Sequence, residues 1–254
     1  MQQPLRNTAH STLSNRGTAC IVPSNSVIMK RILLFAATIL CAATAFAARE
    51  PSRQDYVERI ESCEAILREF MASPETAIPS EVLQRAKAIV ITNQFRAGFI
   101  FGVKDGYGVI LAKRPDGSWS VPALLNAGEA SIGLQVGGTT VETVYILTDE
   151  TTPRLLFDGR FNIGADAKAV AGPRAAEVES MNQGILTTPV LVYTKSKGLF
   201  AGATVKAGWI QRNDRANRNF YNTDYTLPEI LYSDWVQAPA EVQPLRDYVT
   251  QITQ

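Results

Sequence analysis

Histidine is almost absent: the 254 residues contain one, His10. Cysteine is nearly as scarce, with Cys20, Cys41 and Cys63. Both shortages deepen once the N-terminus is read. Met29-Lys30-Arg31 opens a basic segment, an apolar run follows from Ile32 to Ala43, and Ala45-Phe46-Ala47 supplies the small residues of a cleavage site. That is the order of a secretory signal. The run falls short of the ~20 residues a spanning helix needs. Residues 29–47 are therefore expected to be a signal peptide cut after Ala47, and residues 1–28, polar and without periodicity, a non-native upstream extension. Cys41 follows Leu40, a poor match to a lipid-attachment site, which wants a small residue there. Export across the inner membrane to the periplasm or cell envelope is the expected localisation.

Cleavage would leave 48–254 as a single domain with no histidine and Cys63 alone. Such a chain has no Ser-His-Asp or Cys-His catalysis, no usual zinc site and no internal disulfide. No G-x-x-x-x-G-K-[ST] phosphate loop occurs. Gly106-Tyr107-Gly108 opens a dinucleotide fingerprint, but Leu111 stands where its third glycine belongs. Asp149-Glu150 is the one carboxylate pair that stands out, and it reads as a solvated turn. No catalytic residue, metal ligand or cofactor is assigned, and the expectation is a non-enzyme. A strong basic excess is missing too. The net charge is +1 and becomes −3 without Arg6, Arg16, Lys30 and Arg31, which argues against nucleic acid as a partner.

What is present is apolar periodicity and glycine. Tyr56, Ile60, Cys63, Leu67, Phe70 and Met71 recur at helical spacing over residues 50–72, which Pro74 ends. Ser80–Arg85 predicts a second short helix. From Ala88 the pattern turns to strands, starting with a short one at Ala88–Thr92. Lys104-Asp105-Gly106, Arg114-Pro115-Asp116-Gly117 and Gly137-Gly138 stand between apolar segments as hairpin turns. A short helix is expected near Arg154–Phe157. Pro189–Thr194 and Leu199–Ile210 read as strands flanking a tight basic turn, Lys195-Ser196-Lys197-Gly198. Arg212–Tyr221, Leu227–Tyr232 and Ala240–Ile252 read as helices. The fold class is thus α+β: a strongly curved, glycine-rich, mainly antiparallel β-sheet, curling toward a barrel, flanked by N-terminal and C-terminal helices. Strand glycines mark the bends such curvature requires.

Several short segments, in order, resemble one family. Ala86-Lys87-Ala88-Ile89-Val90-Ile91 is similar to the opening strand of the SYLF lipid-binding domains. Trp119-Ser120-Val121-Pro122-Ala123 resembles their W-S-x-P-A segment, and Gly133-Leu134-Gln135-Val136-Gly137 their G-x-Q-x-G strand. Gly164-Ala165-Asp166-Ala167 with Ala171-Gly172-Pro173 resembles G-A-D-A…A-G-P. Ser196-Lys197-Gly198-Leu199-Phe200-Ala201-Gly202 looks like the signature turn, and Asn219-Phe220-Tyr221 like the closing N-x-F-Y. The likeness covers roughly residues 55–235. One departure is Asn93-Gln94-Phe95-Arg96-Ala97, where the family has a glycine-rich run. The resemblance implies phospholipid binding; some fungal members also bind actin. A signal with a lone domain resembles the bacterial envelope branch.

Anionic phospholipid or a membrane surface is the partner so implied, and an envelope protein partner is the alternative. Headgroups need positive charge or backbone donors. The first candidate contact is Lys195, Ser196, Lys197 and Gly198, with Lys206 across an expected hairpin and Leu199 and Phe200 beside it, either inserting in lipid or filling the core. Lys113 and Arg114 form a second patch, with Trp119 as an interfacial or a core residue. Lys168 and Arg174 bracket a third. Cys63 reads as a buried small hydrophobe and Asp166 as a turn-former.

Overall fold

The computed structural model of the protein describes residues 50–97, 101–132, 138–173, 184, 187–197 and 208–254. All but Glu50 belong to one unit, Pro51–Gln254. Helix α1 (Arg53–Met71) starts at a capping box. The Ser52 side chain accepts from the Asp55 amide, and the Asp55 carboxylate accepts from the Ser52 amide at 2.5 Å. Its periodic face, Tyr56, Val57, Ile60, Cys63, Ile66, Leu67 and Phe70, is buried. Helix α2 (Ser80–Gln84) follows.

Eight strands come next: β1 (Ala88–Ala97), β2 (Phe101–Ala112), β3 (Ala123–Ile132), β4 (Gly138–Leu147), β5 (Arg160–Asn162), β6 (Ala169–Ala171), β7 (Val190–Lys197) and β8 (Trp209–Arg212). They form one sheet in the order β5-β8-β3-β2-β1-β4-β7-β6, curled into a half-barrel. Every neighbouring pair is antiparallel except β6 and β7. A 3-10 turn (Thr152–Asp158) precedes β5. After β8 come α3 (Asp214–Tyr221), α4 (Leu227–Tyr232) and α5 (Gln243–Ile252), the last entered through a 3-10 turn at Ala240–Val242. The class is α+β with helices at both ends, as expected.

Helix α1 lies on one face of the sheet. Ser62 Oγ meets the amide of Asn93 at 3.3 Å and the hydroxyl of Tyr107 at 3.1 Å, and Cys63 Sγ faces the Ile91 carbonyl. Burial pushes the Cys63 thiol up to about 12, so it stays protonated and inert. The C-terminal helices are pinned to the β2–β3 connection. Trp119 Nε1 donates to Thr253 Oγ1 at 2.9 Å, and Arg246 Nε donates to the Trp119 carbonyl at 2.9 Å. Trp119 is therefore a core residue, 2% exposed. The Tyr221 hydroxyl donates to the Pro122 carbonyl at 2.5 Å.

Two expected turns are corrected. Lys104-Asp105-Gly106 lies inside β2, where Gly106 pairs with Gln94. Glycine is needed there because a Cβ would fall on the Asn93 carbonyl oxygen across the strand. The first strand accordingly runs to Ala97 rather than stopping at Thr92. Gly137-Gly138 does not join neighbours either: β3 pairs with β2 and β8, whereas β4 pairs with β1 and β7. Lys195 to Lys197 are strand residues of β7; Gly198 and residues 199–207 of the expected partner strand lie outside the described residues, and β8 pairs with β3 and β5. The Arg114–Gly117 turn is observed. Its Gly117 amide donates to the Arg114 carbonyl at 2.9 Å, and Gly117 has φ +85°.

Candidate functional site

Two antiparallel strands set their outer residues side by side. The Lys113 amide, just past β2, donates to the Lys87 carbonyl, just before β1, at 2.8 Å; the Lys87 amide donates to the Leu147 carbonyl at 2.7 Å. Lys87 and Lys113 thereby become walls of one cleft at this end of the sheet. Its volume is about 320 Å³, and its other charged or aromatic lining residues are Arg85, Arg114, Glu150, Arg154 and Tyr232. Five cations thus face a single carboxylate.

Arg114 is fixed rather than free to swing: its Nε donates to the Leu231 carbonyl at 3.3 Å. Partial burial holds its guanidinium pKa below the ordinary value, and neighbouring Arg246 pushes the same way against Asp116 and Asp234. A desolvated cation repelled by a second one gains most from an added anion. Glu150 reaches Lys87 Nζ at 3.1 Å, but both side chains are well exposed, and such pairs contribute little. Burial raises the Tyr232 pKa, so its hydroxyl stays a neutral hydrogen-bonding group. Asp149 is turned away: it caps the 3-10 turn, accepting from the Thr151 and Thr152 amides, each at 2.7 Å. The Asp149-Glu150 pair is a turn, as the sequence suggested.

The structure separates the three expected patches. Lys113 and Arg114 belong to the cleft. Lys195 lies on the α1 face and is bound to Glu69 at 2.6 Å. Ser196 and Lys197 continue β7, and Lys197 is level with Thr140, which in turn is level with Phe95. That is seven residues along β1 from Ala88, or roughly 23 Å from the cleft end. Lys168 is exposed and precedes edge strand β6, at the same end of the sheet as the cleft but three strands from β1. Gly198, Leu199, Phe200, Lys206 and Arg174 lie outside the described residues. Asp166 forms its turn, accepting from the Asn162 amide at 2.6 Å. Sequence reasoning missed Arg85, Arg154 and Tyr232, which only the fold gathers. Lys87 was within reach: the residue before the first strand of a hairpin meets the residue after the second.

Among the described residues, no group of three or more His, Cys, Asp and Glu could hold a metal, and no helix is long and apolar enough to cross a membrane.

A half-barrel sheet clasped by terminal helices, with a cationic cleft at one end, is the domain whose family the sequence likenesses show. The protein-family profile described as Ysc84, Las17-binding protein actin regulator, matches residues 128–252. Protein YSC84 of Saccharomyces cerevisiae is 36% identical over 188 residues, 71% of this chain and 40% of that protein. LAS seventeen-binding protein 3 of the same yeast is 36% identical over 174 residues, 67% of this chain and 38% of that protein. SH3 domain-containing YSC84-like protein 1 of Homo sapiens is 29% identical over 195 residues, 74% of this chain and 57% of that protein. The chain belongs to the Ysc84/SYLF domain family. It spans about 38–57% of the length of these curated relatives. No solved structure matches it.

Proposed function

We propose that this chain is a non-enzymatic phospholipid-binding protein of the cell envelope, exported behind the 29–47 signal and docking on anionic membrane surfaces. The carrying observation is the cleft of Arg85, Lys87, Lys113, Arg114 and Arg154. A basic residue near an anionic surface contributes about 1 kcal/mol. Removing three of the five should therefore weaken binding by about 3 kcal/mol, on the order of 100-fold.

Sedimentation of the purified protein with vesicles tests this. Binding should need anionic phospholipid and weaken between low and physiological salt. It should drop in Lys87→Ala/Lys113→Ala/Arg154→Ala, whose side chains lie on the surface and whose thermal midpoint should stay within a few degrees of the parent. Equal binding to neutral and anionic vesicles would sink the cleft reading.

A second reading, an envelope protein-interaction module, is favoured by the names of the yeast relatives, which describe Las17 binding. A stable heteromeric complex free of lipid would support it.

A further inference from the structure

Exposed large apolar side chains are rare in the described part of the chain: Phe95, Tyr225 and Trp235, at 57, 40 and 56% exposure. Two of them lie against each other, their rings tilted at 51°. Tyr225 and Trp235 bracket helix α4, and their rings lie 5.4 Å apart. The same helix meets the cleft, since Tyr232 lines it and the Leu231 carbonyl holds Arg114. Trp235 stands three residues beyond Tyr232, a reach of roughly 10 Å at most. Its amide is tied to Ser233 Oγ at 3.3 Å, so the aromatic pair sits on a braced turn.

We infer that the cleft and the Tyr225–Trp235 pair form one bilayer-docking face. The aromatic rings enter the interfacial layer of an anionic membrane while the cleft cations take lipid phosphates. This rests on the phospholipid reading of the cleft and adds to it a specific orientation. Two physical features select a bilayer as the occupant. Trp and Tyr favour the headgroup level, where one end of the ring is apolar and the other wet. The charge beside them has the complementary sign. Several carboxylates on this side work against docking: Glu150 lines the cleft, Asp116 and Asp234 face Arg114, Glu229 accepts from the Thr226 amide, and the exposed Asp224 pairs with Arg218 at 2.8 Å. The five cleft cations lie against them. The opposite end of the sheet is the rival. Among the described residues there, Phe95 is the one exposed large apolar side chain, Arg59 lies over the Tyr56 and Tyr107 rings, and Lys195 is paired with Glu69.

The purified protein is mixed with phosphatidylcholine vesicles carrying phosphatidylglycerol and a lipid with a shallow spin label, and tryptophan emission is read. Binding should shift the emission to the blue and quench it. Trp235→Phe should lose most of the quenching read on vesicle-bound protein, because Trp119 is buried in the core and the Trp209 ring is covered by Arg160. Tyr225→Ala/Trp235→Ala should lose affinity by on the order of tenfold or more, with its salt dependence retained. Phe95→Ala should leave affinity unchanged. Vesicle binding without quenching of Trp235, as a protein-binding role for the pair would give, overturns the orientation and leaves the phospholipid reading intact. Loss that follows Phe95 instead of Trp235 assigns docking to the other end and has the same effect. Failure to bind any vesicle overturns both.

Discussion

Asn217 does the work of a strand with one side chain. It is 1% exposed. Its Oδ1 accepts from the Leu124 amide at 2.7 Å and its Nδ2 donates to the Leu124 carbonyl at 3.1 Å. Both backbone groups of a β3 residue are thus closed as a neighbouring strand would close them. Asn217→Ala strands the Leu124 amide, whereas the Leu124 carbonyl keeps the Asn213 amide at 3.2 Å; the change should cost about 1–3 kcal/mol in urea-induced unfolding. Asn217→Asp, which keeps the acceptor and loses the donor, should be no better, since it buries a charge. Asp149 offers a pH signature. Burial pushes its pKa up, but the amides and hydroxyls of Thr151 and Thr152 outweigh this and hold it below the ordinary carboxylate value. A depressed folded-state pKa means that its stabilisation is complete above the unfolded pKa, about 4, and is lost as pH falls through the folded value. The stability difference between the parent and Asp149→Ala should therefore be constant from pH 5 to 7 and shrink below pH 4. A difference that grows on acidification would contradict the assigned hydrogen bonds.

At the scale of elements, glycine has two jobs that look alike in a sequence. Gly117 takes φ +85° in an open turn, where an added Cβ would meet nothing within 4 Å. Gly108 lies in mid-strand, where a Cβ would fall on the Ile91 carbonyl oxygen and come within 2.9 Å of Thr92 Cγ2. Gly108→Ala must move backbone and should cost about 2–3 kcal/mol. Gly117→Ala pays only for its dihedral angle, about 1 kcal/mol. Thermal midpoints of the two variants should fall in that order. The same ambiguity decided what the sequence made legible. Helices α1, α4 and α5 and the Arg114–Gly117 turn were readable because their signals are local: a 3.6-residue period, a proline, an Asp-Gly. Asp105-Gly106 carries the identical turn signal yet sits mid-strand, since strand partners are settled by long-range pairing. The β3–β4 hairpin expected at Gly137-Gly138 failed for that reason.

For the whole molecule, the candidate site is an assembly of unlike parts. Lys113-Arg114 stood out as a sequence pair. Arg85 and Arg154 did not, because they stand far apart in the chain and only the sheet brings them together. Among the described residues, three of the family segments supply joints of the fold: Trp119 holds Thr253, Pro122 holds Tyr221, and Gly172 makes room for the ring of Tyr193. In these described positions they identify the domain rather than a site.

The strand order carries a kinetic consequence. β1, β2 and β3 follow one another and form a meander that assembles from nearby contacts in the sequence. β7 and β8 are separated by only eleven residues, 198–208, yet attach to opposite flanks of that meander and its partner β4. Contacts so distant along the chain close slowly. Until they do, β3 and β4 each expose an unpaired row of amides and carbonyls, and a half-built sheet with two bare edges is a template for a second copy of itself. Refolding yield should therefore fall steeply with protein concentration, because both bare edges persist until the last two strands find their places.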